Sequence, residues 1–384
     1  MSAPITAQVG YRHLYLHVPF CARRCSYCDF SIAVRKQVPW RAFADAVDAE
    51  LRLRGASQSC GALSTLYLGG GTPSRLGGEG VERLFEQLHR HVRLDAHAEV
   101  TLEANPEDVS AEAVAAWRRA GVNRVSLGVQ SFDDRVLSWM HRVHDADAAV
   151  RAVETLRAGG IDSMSLDLIF AAPATLERDW SEDISRLLAL APDHISLYGL
   201  TIEPHTPLGR WQERGEVEEA PEELYERQFL ESHERLRAAG FEHYEVSNFA
   251  MPGRRARHNS AYWQNVAYLG IGPSAHGFDG SERRWNHSAL AAWESALTAG
   301  LDPVDGSETL TGQNREAEMV YLGLRTIDGL ELREGEEARV ATWRRQGWIE
   351  SAHETAGSRI RCTASGWLRL DALAADLTAL RSRS

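Results

Sequence analysis

The chain has no apolar run long enough to cross a membrane; its longest hydrophobic stretches are the length of a strand. Its first residues, MSAPITAQVGYRH, lack the basic segment followed by an apolar one that marks a secretory leader. Positive charge is not in excess either. The formal net charge is -12 and the pI near 5.7, which argues against a nucleic-acid or anionic-membrane partner, since both demand clustered Lys and Arg. Basic spots such as GRRARH at 253–258 read as solvated surface. Cysteine is scarce and odd in number, five in 384 residues, which does not fit a disulfide framework. No low-complexity tract is present, and no repeat beyond an alternation of strands and helices. These absences fit a cytoplasmic protein whose thiols stay reduced.

What is present is an ordinary globular composition, with 43% hydrophobic and 25% charged residues. Its length suits one large domain of roughly 250 residues and a smaller one. Strand-like runs fall at 14–18, 65–69, 99–103, 124–129, 163–170, 194–200 and 243–248. Helix-period stretches lie between them, at about 38–54, 77–93, 110–120, 145–158, 175–190 and 219–239, and Gly121, Gly159-Gly160 and Gly240 follow three of these as helix-ending glycines. Near-continuous apolar strands alternating with helices mean βαβ units and a parallel sheet covered on both faces. The expectation is an α/β fold, a full or partial (β/α) barrel, with an open doubly wound sheet as the alternative. Polar residues gather at the strand carboxyl ends, where a barrel builds its active site. After about residue 300 the pattern changes to helices with a two-stranded ribbon, a small winged-helix-type unit with a packing role. The expected division is 1–295 for the barrel and 296–384 for the carboxyl-terminal unit.

Three of the cysteines, Cys21, Cys25 and Cys28, stand in a C-x3-C-x2-C array directly after the first strand. Three thiolates on one short loop hold three corners of an iron–sulfur cubane and leave the fourth iron open to a ligand. A zinc ion held by the three thiolates and His17 is the competing reading. Cys60 and Cys362 read as small buried hydrophobes. A second strand-end loop, YLGGGTPS at 67–74, carries a glycine triplet that admits close backbone approach to a ligand or merely makes a tight turn. Glu103, Gln130, Arg142 and Asp167 add a carboxylate for an ammonium group, a partner for ribose hydroxyls, a carboxylate binder and a charge inside an apolar strand. Together they form a ring of polar groups on successive strand ends.

The cysteine array followed by Gly-Gly-Gly-Thr-Pro resembles the radical S-adenosylmethionine (SAM) superfamily. The stretches YLHVPFC, LGGGTPS, LEANPE, GVQSF, DLIFAAP, LYGLTIEPHTPL and YEVSNFA resemble its oxygen-independent coproporphyrinogen III oxidase-like family over about residues 13–280. The resemblance implies a partial TIM-like radical SAM barrel and a 4Fe-4S cluster on Cys21, Cys25 and Cys28. It places SAM against Tyr15, Gly70 and Glu103, and matches Gly71, Thr72, Gln130, Arg142 and Asp167 to positions lining a second SAM. Two departures speak against decarboxylase activity. The oxidase pattern continues C-x3-C-x2-C-x-C where this chain has Phe30, and only fourteen residues precede Tyr15. Both fit the heme-chaperone branch of the family, whose signature resembles RHNSAYW at 257–263. That branch implies heme as cargo with His258 as its ligand, Tyr262 and Trp263 as flat partners for the porphyrin and His276 as a second histidine near the site. It further implies delivery to heme-requiring respiratory proteins, a monomer–dimer equilibrium tied to the cluster, and membrane contact only through partners. The alternatives are a coproporphyrinogen III oxidase working through a 5'-deoxyadenosyl radical, and a radical SAM enzyme acting on another substrate.

Overall fold

The computed structural model describes residues 10–352 and 359–382. Six parallel strands carry the fold: β1 (Tyr11–Val18), β2 (Cys60–Gly70), β3 (Arg93–Ala104), β4 (Arg124–Gln130), β5 (Ser163–Phe170) and β6 (His194–Gly199). The expected strand at 243–248 is instead a hairpin of β7 (Glu242–Glu245) and β8 (Asn248–Ala250). A short strand that the sequence reading did not anticipate, β9 (Leu269–Ile271), pairs parallel to β1. The order in the sheet is β9-β1-β2-β3-β4-β5-β6-β8-β7. Its two edges do not pair with each other, so the barrel is partial, and β1 to β6 lie side by side in chain order without the reversal of a doubly wound sheet, so that alternative falls.

The connecting helices are amphipathic, as their spacing dictates. Helix α1 (Trp40–Leu53) buries Phe43, Ala44, Val47 and Leu51, and α2 (Gly77–His91) buries Val81, Leu84, Phe85 and Leu88. Ser110, Asp145 and Asp179 each accept a backbone N–H of the first turn that follows them, satisfying donors that have no partner within the helix. Gly121, Gly160 and Gly240 end helices at positive φ, while Gly159 stays right-handed at φ -80°.

After β9 the chain forms a three-stranded meander, β10 (His276–Phe278), β11 (Glu282–Asn286) and β12 (Val304–Thr309). The expected two-stranded ribbon near the carboxyl end has three strands, because Leu330–Glu331 also pairs with Arg359–Cys362, beside Ile349–Ser351. Helices 312–325 and 370–381 flank it. The buried apolar cluster runs unbroken from the barrel into this region, through Val340, Ile360, Trp367 and Leu377. Arg325 pairs with the buried Glu245 at 3.1 Å across that junction. Cys362 is buried and its thiol is pushed up to about 12 by burial; Cys60 is half-buried.

One buried carboxylate knits the barrel to the meander. Glu50 of α1 accepts the Gly272 N–H at 2.9 Å, the Asn286 amide at 2.7 Å, the Trp293 indole at 2.8 Å and the Arg54 guanidinium at 3.0 Å. Glu50→Ala would strand the buried Arg54 charge and three buried donors. It is expected to lower stability by about 3–5 kcal/mol, with Glu50→Gln losing less. A drop in the urea midpoint at unchanged slope is the reading; an unmoved midpoint would show that the network carries no stability.

Candidate functional site

At the carboxyl ends of the parallel strands lies a cavity of about 480 Å3, bounded by the cysteine loop, the glycine loop and residues from β3 to β6. Cys21, Cys25 and Cys28 all line it. The loop is stitched in place by its own backbone. Ser26 N–H donates to Met140 O at 3.1 Å and Leu208 N–H to Ser26 O at 2.8 Å. Arg35 N–H donates to Cys21 O at 3.1 Å.

Each thiol meets a specific neighbour. Cys21 Sγ lies 3.4 Å from Thr72 Oγ1, and Arg142 Nη1 donates to Cys25 Sγ at 3.5 Å. Burial pushes the Cys21 thiol up to about 11 and raises that of Cys28. Free thiolates are therefore disfavoured here unless a cation compensates them. Arg142 supplies one such charge. Burial opposes its ionisation, but Tyr27, Cys25 and Glu107 outweigh burial and raise its pKa. Its Nη2 donates to Asn105 Oδ1 at 2.6 Å and to Gly128 O at 2.8 Å. Arg142 is thus a brace for the cysteine loop, with its Nη groups already engaged. Iron would supply the remaining charge, so the donor set fits a cluster. Among the described residues no three His, Cys, Asp or Glu side chains converge as a single metal ion requires. His17 is turned away to Tyr15 and Ser31.

The glycine loop is shaped by close packing. Gly70 has φ +110°, and a Cβ there would lie 2.4 Å from the His17 ring; a Cβ on Gly71 would lie 2.6 Å from the Pro19 carbonyl carbon. Only glycine lets β1 and β2 leave the barrel side by side. This frees the Gly70 N–H to donate to Glu103 Oε2 at 3.0 Å, while the Tyr67 hydroxyl donates to Oε1 at 2.7 Å. Glu103 is nevertheless pushed up to about 7 by burial. Asp167 is raised by burial too, although Ser165 donates to Oδ1 at 2.7 Å and Ser126 to Oδ2 at 2.8 Å. Gln130 reaches the same cavity from a left-handed turn at φ +68°.

The structure therefore brings together Cys21, Cys25, Cys28, Gly70, Gly71, Thr72, Glu103, Gln130, Arg142 and Asp167 around one cavity. Two expected site residues lie elsewhere. Tyr15 does not line it; its ring stacks on Tyr67 at 6.1 Å and its hydroxyl is 3.1 Å from His17 Nδ1. His258 is 1% exposed within the short helix Arg257–Trp263. Its Nδ1 lies 2.6 Å from Thr65 Oγ1, its Nε2 lies 2.8 Å from the Tyr262 hydroxyl, and Tyr67 stacks on its face at 5.0 Å. Burial pulls it down to about 3, so it is neutral, but both ring nitrogens are engaged and neither faces the cavity. In this conformation His258 is a sealed internal hydrogen-bond partner. The second histidine, His276, is exposed on the meander and stacks on Trp285 at 5.9 Å.

Sequence reasoning missed Asn105, Glu107 and His144. Asn105 shares a face of the extended chain with Glu103, two residues on, a signal that was available. Glu107 Oε2 and His144 Nδ1 meet at 3.3 Å, a pairing that no local pattern announces.

A family model of the radical SAM superfamily matches residues 15–187. The match takes in the cysteine loop and the parallel strands from β1 to β5, and that superfamily implies a 4Fe-4S cluster and SAM. Heme chaperone HemW of Mycobacterium tuberculosis is 39% identical over 323 residues, 83% of each chain. Heme chaperone HemW of Bacillus subtilis is 32% identical, covering 82% of this chain and 84% of that one. The chain belongs to the HemW family. The solved structure of coproporphyrinogen III oxidase (HemN) from Escherichia coli, a radical SAM enzyme, superposes with a TM-score of 0.79. It covers 96% of this chain and 91% of that one at 21% identity, a likeness of fold. No helix among the described residues is long and apolar enough to span a membrane.

The raised pKa of Glu103 has a pH signature. A carboxyl near 7 when folded and near 4.5 when unfolded binds its proton more tightly in the native state. Stability is then full below pH 4.5 and lost as pH rises through 7. The loss from this group is up to about 3 kcal/mol in ligand-free protein. Glu103→Gln is expected to flatten that fall in urea midpoints between pH 5 and 8; parallel profiles for the two proteins would refute the assignment.

Proposed function

We propose that the chain is a heme-binding and heme-delivering protein built on a radical SAM site, with heme as cargo for respiratory heme proteins. The observation that carries the reading is the character of the cavity rim. Phe30 is 59% exposed beside Cys28, with Val143 at 52% and Tyr198 at 45%. A folded protein rarely leaves large apolar side chains together at a cavity mouth unless they meet a ligand, and a porphyrin is a flat apolar one. Relatives named heme chaperone, at 32 to 39% identity, support the same reading.

In this proposal Cys21, Cys25 and Cys28 hold the cluster, and Arg142 and Thr72 stabilise the Cys25 and Cys21 sulfurs. Glu103 receives the ammonium of SAM, which would draw its proton off and keep it ionised. Gly70, Gly71, Thr72, Gln130 and Asp167 form the rest of that pocket, and Tyr15 supports it from behind through Tyr67. The bound cluster and SAM supply one-electron chemistry. His258 becomes a heme ligand only in a state in which Thr65 and Tyr262 release it. Residues 1–295 form the cofactor-binding unit and 296–384 the unit that braces its open edge.

The oxidase reading is weakened by the position at which its pattern carries a fourth cysteine. Phe30 offers there an exposed ring with no titratable or ligating atom.

The test is hemin titration of the anaerobically reconstituted protein, with a parallel incubation in SAM, reductant and coproporphyrinogen III. A saturable Soret shift without protoporphyrinogen is expected. Stoichiometric protoporphyrinogen would make the chain an oxidase, and an unshifted Soret band would remove heme as cargo. Replacing Cys21, Cys25 and Cys28 by Ala is expected to abolish cluster loading; retained iron and acid-labile sulfide would overturn that assignment.

A further inference from the structure

Asn105 stands directly after β3, two residues past Glu103, and lines the cavity. Its backbone is fixed from both sides. Pro106 follows and favours an extended conformation in the residue before it, which Asn105 holds at φ -101° and ψ 149°. The Asn105 N–H donates to Ser74 Oγ at 3.2 Å, and its carbonyl accepts the Asp108 N–H at 3.0 Å. The side-chain amide therefore starts from a set place, between the glycine loop and Arg142.

Its partners settle which way that amide faces. An arginine nitrogen can only donate, so the atom 2.6 Å from Arg142 Nη2 is the carbonyl oxygen Oδ1. The NH2 group then faces two oxygens, Thr72 Oγ1 at 3.4 Å and Glu107 Oε1 at 3.3 Å. Glu107 is held in turn by His144, whose Nδ1 is 3.3 Å from Oε2. Arg142 and Thr72 each meet a different cysteine. Arg142 Nη1 donates to Cys25 Sγ at 3.5 Å, and Thr72 Oγ1 lies 3.4 Å from Cys21 Sγ. With the Asn105 NH2 donating to its oxygen, the Thr72 hydroxyl keeps its proton for that sulfur. One amide thus orients the donors of two of the three sulfurs.

We propose that Asn105 is the positioning residue that sets the reduction potential of the iron–sulfur cluster, by holding Arg142 on Cys25 and the Thr72 hydroxyl on Cys21. This rests on the reading of the three cysteines as cluster ligands. A hydrogen bond to a ligating sulfur draws off negative charge and so favours the reduced, more negative cluster. Donors to sulfur therefore raise the potential, and loosening two of them through one amide lowers it.

The experiment is a reductive titration of the anaerobically reconstituted full chain, with dithionite as electron donor and redox mediators present, read by the EPR signal of the reduced cluster. Wild type, Asn105→Ala, Asn105→Asp, Thr72→Val and the combined Asn105→Ala and Thr72→Val protein are compared. Iron, acid-labile sulfide and the thermal midpoint are measured for each. Asn105→Ala is expected to lower the ratio of reduced to oxidised cluster about tenfold at a given potential, a fall of about 59 mV for one electron. Asn105→Asp keeps the acceptor for Arg142, loses the donor to Thr72 and adds negative charge. Its potential is expected to fall as well, so it decides the matter should the alanine variant not fold. In the Thr72→Val background Asn105→Ala should shift the potential less than in wild type, because one of the donors it positions is already gone. An unmoved potential in the loaded variants, or the same shift in both backgrounds, would overturn the proposal while leaving the cluster reading intact. So would a folded Asn105→Ala protein without iron and sulfide, which would make the residue a support for assembly. Absence of a cluster from wild type would remove the cluster reading itself, and the role of Asn105 with it.

Discussion

Desolvated charge at the ends of parallel strands is the constraint on which the site depends. A parallel barrel points every strand end to one mouth, so polar groups placed there are crowded and drawn out of water together. An isolated buried carboxylate is costly. Glu103 is accommodated by the Gly70 amide and the Tyr67 hydroxyl, and Asp167 by serine hydroxyls of β4 and β5. Even so, Glu103 stays pushed up to about 7, which leaves it ready to ionise against an incoming cation. Arg142 solves the mirror problem for the thiols. Its guanidinium spans Cys25, Asn105 and the Gly128 carbonyl, tying three strand-end loops together.

Much of this was legible in the sequence, for a physical reason. Strands buried on both faces are near-continuous apolar runs, and amphipathic helices repeat every third or fourth residue, so both are written locally. The cysteine array and the glycine triplet are local as well. What could not be read is non-local. Three residues, Leu269–Ile271, carry no periodicity, yet they extend the sheet because β1 offers them an edge. The strand Val304–Thr309 is mostly exposed and so lacks an apolar pattern. His258 illustrates the same limit at a single side chain. The RHNSAYW stretch gives the residue type, whereas access is decided by Thr65, 193 positions away in the chain.

The likeness of fold to a coproporphyrinogen III oxidase at 21% identity extends over nearly the whole chain, but one barrel serves many chemistries. What separates the readings lies in the rim. Phe30 turns a position next to the third cysteine into exposed apolar surface, and the lining from Tyr198 to Glu203 adds a second wall. Glu103 and Asp167, partly buried, share the cavity with Phe30, Val143 and Tyr198, which expose apolar surface.

The stitching at Ser26 has a further consequence. That residue binds Met140 through its amide and Leu208 through its carbonyl, so the cysteine loop, the His141 turn and the helix Pro207–Glu213 share a common joint. Two ligands that act on one joint change each other's affinity by the same factor, because their coupling is reciprocal. A ligand at the cysteine loop that tightens binding at the neighbouring turn by some factor is itself held tighter by that same factor. One element then tunes binding at another without any contact between the two ligands.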